Sequence, residues 1–225
     1  ITFTRAVVRL EQFQGVDYIR KEQQHIAFRY QSILPENFQL IENAKTPNLV
    51  GEWLWSRGFP TSICQEYELG YVEWGEYQLR LIVPIYLDGE VVSFQSVDLT
   101  GQADVKYKGC PNDRSHIPLK HTLYGIDDVG DQVIIVEGIT DKWRMGKNAV
   151  ALFGKKWTPE QIDLLIRKAK DKTIKICLDG DAEQEAYNLY AKIQGVCRDV
   201  MIILLEYGED PDGLRPDIIR KIIEA

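Results

Sequence analysis

Six carboxylates in the C-terminal half of the chain stand where they could meet. Glu137 opens Glu137-Gly138-Ile139-Thr140-Asp141 directly after the apolar run Val133 to Val136. Asp179 and Asp181, in Leu178-Asp179-Gly180-Asp181, directly follow the run Ile174 to Leu178. Asp210 and Asp212, in Gly208-Glu209-Asp210-Pro211-Asp212, follow the run Val200 to Leu205 after a short loop. Ionised carboxylates within a few ångströms of one another repel and raise each other's pKa unless cations neutralise them. Oxygen donors with no His or Cys among them select Mg²⁺ or Mn²⁺ over zinc. Such an ion bridges phosphate oxygens, neutralises charge developing in a transition state and activates a hydroxyl as a nucleophile. The chemistry open to these residues is therefore phosphoryl transfer.

The elements that must position the acids are legible from Gln132 onward, where short apolar runs alternate with amphipathic segments in the manner of β-α units on a parallel sheet. The runs Val133 to Val136, Ala149 to Phe153, Ile174 to Leu178 and Val200 to Leu205 are each short enough to be a buried strand. Between the second and third, Thr158 is a candidate N-cap, Pro159 suits the first helical position and Gln161 completes a capping box. Ile162, Leu165, Ile166 and Ala169 then make one apolar stripe at i, i+3, i+4, i+7. Further helices are predicted from about Ala182 to Gln194 and from about Asp217 to the C-terminus. With right-handed crossovers, every acid falls at the carboxyl end of a strand, the edge where open α/β sheets build their sites. Gly138 and Gly180 lack a Cβ and are expected to let substrate or metal approach the backbone.

Residues from about Val50 to Val129 read differently. Trp53 and Trp55 precede an alternating stretch from Arg80 to Phe94 that is broken by Asp88-Gly89, a hairpin signal. The expectation is a separate mixed or antiparallel subdomain. From Val105 to His121, the cations Lys106, Lys108, Arg114 and Lys120 face only Asp113. That strip is a candidate for phosphate contacts, although charge alone is equally that of a solvated basic loop. Residues 1–48 carry no pattern that decides their fold, and the non-Met start at Ile1 is expected of a fragment or a processed product.

Taken singly, an E-G-x-x-D, a D-G-D or an Asp-Pro-Asp is a common string. In this order and placement they resemble the Toprim signature shared by DnaG-type primases, topoisomerases and some nucleases. The primase branch is favoured by further matches. Ala151-Leu152-Phe153-Gly154, Trp157-Thr158-Pro159-Glu160-Gln161 and Leu164-Leu165 resemble the stretch between Toprim motifs of bacterial primases, and Gly208 to Asp212 resembles their third acidic motif. Upstream, Trp55-Ser56-Arg57-Gly58, Leu69-Gly70-Tyr71, Arg80 to Ile85, Asp88-Gly89, Lys106-Tyr107, Pro111, Lys120 and Leu123-Tyr124-Gly125 resemble the subdomain that precedes Toprim in primases.

The resemblance covers roughly residues 50 to 215 and implies an α/β fold: a Toprim parallel-sheet domain over 131–225, preceded by a smaller mixed α+β subdomain over 49–130. It implies template-directed synthesis of short RNA primers on single-stranded DNA from ribonucleoside triphosphates, with Mg²⁺ or Mn²⁺ as cofactor and a replicative helicase as partner, in cis or in trans. By position, Glu137, Asp179 and Asp181 would be the main catalytic and metal-site carboxylates, assisted by Asp141, Asp210 and Asp212. Arg80, Lys106, Lys108 and Lys120 would contact template or nucleotide phosphates. Two departures stand out. Where these primases carry Gly-Gly-Arg this chain has Phe94-Gln95-Ser96-Val97-Asp98, and after Asp181 their Ala-Gly is replaced by Glu183-Gln184-Glu185. A viral or mobile-element source fits such divergence.

Bulk properties bound these readings. With 225 residues, 44% hydrophobic, the chain can bury a sizeable core, and no apolar run is long enough to span a bilayer. A cytoplasmic protein is expected. The four cysteines form no C-x-x-C pair, against a zinc ribbon within this stretch. The net charge of −7 is unusual for a nucleic-acid binder and requires any grip on phosphate to be local. The alternatives are a Toprim nuclease that activates water, a non-catalytic replication protein that kept the fold, and a topoisomerase, for which no tyrosine nucleophile is identifiable. Strand-end acids that merely cap helices would explain one or two of the six.

Overall fold

The computed structural model describes residues 33–42 and 47–225, so most of the N-terminal segment of undecided fold lies outside the described residues. Two sheets organise the chain. The first is antiparallel with strands in sequence order, β1 (Phe38–Leu40), β2 (Gly70–Val72), β3 (Arg80–Leu87), β4 (Glu90–Asp98) and β5 (Tyr107–Gly109). The second holds β6 (Gln132–Val136), β7 (Ala149–Ala151), β8 (Thr173–Ile176) and β9 (Asp199–Ile202), all parallel, in the order β7-β6-β8-β9. This is the α/β architecture, with a preceding antiparallel α+β portion, that the sequence pattern predicts.

The Asp88-Gly89 pair does close the long hairpin of β3 and β4. Its φ values of 54° and 77° are the consecutive left-handed pair of a two-residue turn that matches strand twist. Ahead of the hairpin, α1 (Asn48–Ser56) and the short α2 (Ile63–Glu66) cover one face of the antiparallel sheet. Helix α1 is not signalled in the sequence, because Pro47 stands at its N-cap with no side-chain cap, yet Val50 and Leu54 are buried at helical spacing.

On the parallel sheet the helices follow their predicted logic. Helix α3 (Ile139–Met145) comes directly off β6 and was not signalled separately, being only two turns long. Helix α4 (Pro159–Ala169) has the expected capping box: Thr158 Oγ1 accepts from Gln161 N at 3.2 Å and Gln161 Oε1 accepts from Thr158 N at 3.1 Å. Its stripe is buried at Ile162, Leu165 and Ala169, and Leu164 joins it. Helices α5 (Glu183–Ile193) and α6 (Pro216–Glu224) fall where expected. Lys175, in the middle of β8, is buried at a desolvation cost that lowers its pKa, offset by its ammonium donating to Gln132 Oε1 and to the Ile222 and Ile223 carbonyls at 2.8–2.9 Å, which caps the end of α6.

The two sheets share one apolar core. Leu81, Val83 and Ile85 of β3 belong to the same buried cluster as Val133, Ile135 and Ile176 of the parallel sheet. A cavity lies at the junction of the two portions, lined by Gln95 and Tyr107 of the first and by Glu137 and Asp179 of the second.

Candidate metal and nucleotide site

Strands β7, β8 and β9 each end before their apolar runs do, whereas β6 pairs along its whole run. Strand β7 stops at Ala151, after which Phe153 takes φ 60° and Gly154 takes φ 115°, so the chain turns away from the sheet. Glu137 follows β6 immediately, and Asp179 and Asp181 come three and five residues after the end of β8. All therefore hang over one edge. The Asp179 backbone N–H donates to Glu137 Oε1 at 3.3 Å, and carboxylate oxygens of Glu137, Asp179 and Asp181 all lie within 4.8 Å of one another.

Two observations fit a divalent ion at this point. Asp179 Oδ1 is buried and, among the described residues, has no hydrogen-bond partner. A buried acceptor left unmade costs about 1–3 kcal/mol, a cost that a bound cation removes. The acids also stand at raised pKa. Partial burial, then Asp179, lifts Glu137 to about 7, while burial followed by Asp210 and Asp181 lifts Asp179 to about 6. Lys155 offsets part of this repulsion through its ion pair with Asp181 at 3.3 Å. The donors are oxygen only, which suits Mg²⁺ or Mn²⁺.

The other acids are engaged differently. Asp141 is buried at the start of α3, where Oδ2 accepts from Gly138 N at 2.7 Å, and burial followed by Asp179 pushes its carboxyl up to about 7. Asp210 caps the turn Pro211–Gly213, accepting from Gly213 N at 2.6 Å. Asp212 is held by Arg57 at 3.1 Å and Arg144 at 3.0 Å. Asp141, Asp210 and Asp212 nevertheless line the same cavity of about 310 Å³ as Glu137 and Asp179.

Arg57, Gln95, Lys106 and Tyr107 line the same cavity. Lys106 lies over the Tyr107 ring at 5.0 Å, its pKa lowered by partial desolvation and then by Arg57. The remaining expected phosphate contacts point elsewhere. Arg80 is 8% exposed and donates to the carbonyls of Val105 at 2.6 Å and Lys106 at 3.2 Å, so it holds the backbone beside Lys106. Lys108 pairs with Glu76 at 2.7 Å. Lys120 donates to the carbonyls of Leu152, Phe153 and Lys156, clamping the turn after β7. Arg114 bonds the Leu34 carbonyl. The basic strip of the sequence thus disperses: a loop and a short strand send successive side chains in different directions.

Sequence reasoning missed Arg57, Arg144 and Lys155 as charges of the site. Lys155 had a readable signal, since it follows an apolar run at the same strand edge as the acids. The two glycines also serve a different close approach from the expected one. A Cβ on Gly180 would sit 1.9 Å from the Glu206 carbonyl oxygen and one on Gly138 would sit 3.0 Å from Asp141 Oδ2, so Gly180 admits the chain's own backbone and Gly138 the Asp141 carboxylate. In the first departure, Gln95 lines the cavity and Asp98 is consumed by its own turn, accepting from Thr100 and Ala103; in the second, Glu183, Gln184 and Glu185 form the first turn of α5.

No protein-family model matches the sequence, and no curated protein does. Solved structures do. The zinc-binding and RNA polymerase domains of the Aquifex aeolicus primase superpose with a TM-score of 0.68 at 21% identity, over 79% of this chain and 56% of that one. The fold is that of a DnaG-type primase core. The RNA polymerase domain of Mycobacterium tuberculosis primase DnaG gives 0.66 at 20% identity, over 79% of this chain and 77% of that one. A structure of bacteriophage T7 lagging-strand DNA polymerase interacting with primase domains of two gp4 subunits, bound to an RNA/DNA hybrid and dTTP, gives 0.52 at 17%, over 76% and 88%. The chain thus spans little more than half the length of the Aquifex protein. Among the described residues no helix is long and apolar enough to cross a membrane.

Proposed function

We propose that this chain is the RNA-synthesising core of a DNA primase, a metal-dependent nucleotidyltransferase that makes short RNA primers on single-stranded DNA. The observation that carries this reading is the convergence of Glu137, Asp179 and Asp181 within 4.8 Å, with an orphaned Asp179 oxygen, on the primase-core fold. Glu137, Asp179 and Asp181 hold the divalent ions, Mg²⁺ or Mn²⁺, with Asp141 and Asp210 as neighbours on the same edge. When bound, such ions lower the pKa of a primer 3′-hydroxyl and neutralise the phosphates of the incoming ribonucleotide. Lys106 lines the same cavity and would meet the anionic oxygens of a bound nucleotide or template, beside Arg57, which holds Asp212. Arg80 and Lys120 act through backbone carbonyls, Arg80 fixing the residues next to Lys106 and Lys120 fixing the turn that carries Lys155.

The template is single-stranded DNA, the other substrates are ribonucleoside triphosphates, and a replicative helicase is the partner, in cis or in trans. The test is incubation with single-stranded DNA, four ribonucleotides and Mg²⁺ or Mn²⁺, beside an Asp179→Ala, Asp181→Ala double variant. Short RNA lost in the variant is the expected result. Metal-dependent DNA cutting without synthesis would replace this reading with a Toprim nuclease, and neither activity would leave a non-catalytic nucleic-acid-binding protein.

A further inference from the structure

We propose that Asp212 is a latch and not an ion ligand: it locks the end of α1 to α3 across the cavity and so sets the spacing between the cationic wall and the metal-site carboxylates. The inference rests on Glu137, Asp179 and Asp181 being that metal site. Both oxygens of Asp212 are engaged by guanidiniums. Oδ2 accepts from Arg57 Nη1 at 3.1 Å, and Oδ1 accepts from Arg144 Nη2 at 3.0 Å and Nε at 3.2 Å. Arg144 Nη2 also donates to the backbone carbonyl of Arg57, closing a ring of contacts.

The guanidiniums are themselves seated. Arg57 lies over the Trp53 ring at 4.8 Å and Arg144 over the Phe59 ring at 4.2 Å. A planar fork held on both sides by packing gives up little further freedom when it binds a carboxylate. The Asp212 side chain is 14% exposed, and those of Arg57 and Arg144 are 27% and 23% exposed, so solvent screens the trio only in part. With both oxygens already accepting from guanidiniums, Asp212 would have to give up charge-assisted hydrogen bonds to ligate an ion. The contrast with Asp179 is direct, because there a buried oxygen has no partner at all among the described residues. Asp212 is also outside the set of carboxylates whose oxygens lie within 4.8 Å of one another.

Three separate stretches of chain meet at this carboxylate: Arg57 just past α1, Arg144 within α3, and Asp212 in the turn after β9. Arg57 and Asp212 both line the cavity, so releasing the latch changes its cationic wall.

The test compares wild type, Asp212→Asn and Asp179→Asn by Mn²⁺ titration followed by electron paramagnetic resonance, without nucleotide. The isosteric Asp212→Asn is expected to bind Mn²⁺ within about twofold of wild type, and Asp179→Asn to lose about tenfold or more. In thermal unfolding, Arg57→Ala is expected to lower Tm clearly less in the Asp212→Asn background than in the wild-type background, since only its packing on Trp53 is then left to lose. Loss of about tenfold in Mn²⁺ affinity by Asp212→Asn, or an equal Arg57→Ala effect in both backgrounds, overturns the latch. If wild type binds no Mn²⁺, the metal-site reading fails by itself, and the thermal cycle still decides the latch.

Discussion

Glu137 and Asp179 are joined through an amide: the Asp179 N–H donates to Glu137 Oε1 at 3.3 Å, so the acids that follow two adjacent strands are held together, with Lys155 offsetting part of their repulsion from its ion pair with Asp181. Burial first, and then the neighbouring carboxylates, raise the pKa of each, and a bound cation would relieve both costs.

The pH dependence of stability follows from the sign of these shifts. An acid whose folded pKa exceeds its unfolded value stabilises the fold while protonated, and that contribution disappears as pH rises through the folded pKa. For Glu137 and Asp141, near 7, and Asp179, near 6, the loss spans the window from about pH 4 to about pH 7. Metal-free protein is expected to show a Tm that falls across this window, and Mg²⁺ to raise Tm more at pH 8 than at pH 5. A Mg²⁺ effect independent of pH would contradict the shared-site account.

Gly180→Ala is expected to destabilise by about 1–3 kcal/mol, since the new Cβ would sit 1.9 Å from the backbone oxygen of Glu206, which cannot rotate away. Because Gly180 lies between Asp179 and Asp181, Mn²⁺ affinity should fall with it. Urea unfolding and Mn²⁺ titration together read both effects. An unchanged unfolding midpoint would show that the loop at Glu206 yields freely.

Lys120→Met removes a partly buried ammonium that donates to Leu152 and Lys156 at 2.9 and 2.6 Å. A loss of about 2 kcal/mol is expected, measured by denaturant unfolding. The dependence of single-stranded DNA binding on salt should keep its slope. A clear fall in that slope would instead make Lys120 a phosphate contact, as the family resemblance implies.

Lys106→Ala is expected to act oppositely: little change in stability, weaker binding of single-stranded DNA or nucleotide, and a salt slope lower by about one charge. The reason is its placement, exposed on the cavity wall with its ammonium over Tyr107 at 5.0 Å. Unaltered binding across salt concentrations would remove it from the phosphate path.

The placement of the clustered acids was legible without the structure. Apolar runs of strand length, a capping box at Thr158 and Gln161, and a hairpin pair at Asp88-Gly89 are short-range signals, and each acts within a few residues of where it is written. Once the runs are strands of one parallel sheet, Glu137, Asp179 and Asp181 must share an edge. What those side chains do with their free atoms is set by residues far away in sequence. Asp212 meets Arg57, 155 positions earlier, and Lys120 meets Lys156. Charge and spacing along the chain could not separate Lys106, which faces the cavity, from Arg80, Lys108, Arg114 and Lys120, which do not, because a cation's role depends on which carbonyl or carboxylate the fold brings to it. The sequence by itself determined the sheet, its edge and the chemistry of the acids; only tertiary packing decided which charges remain available to a ligand and which are spent holding the chain.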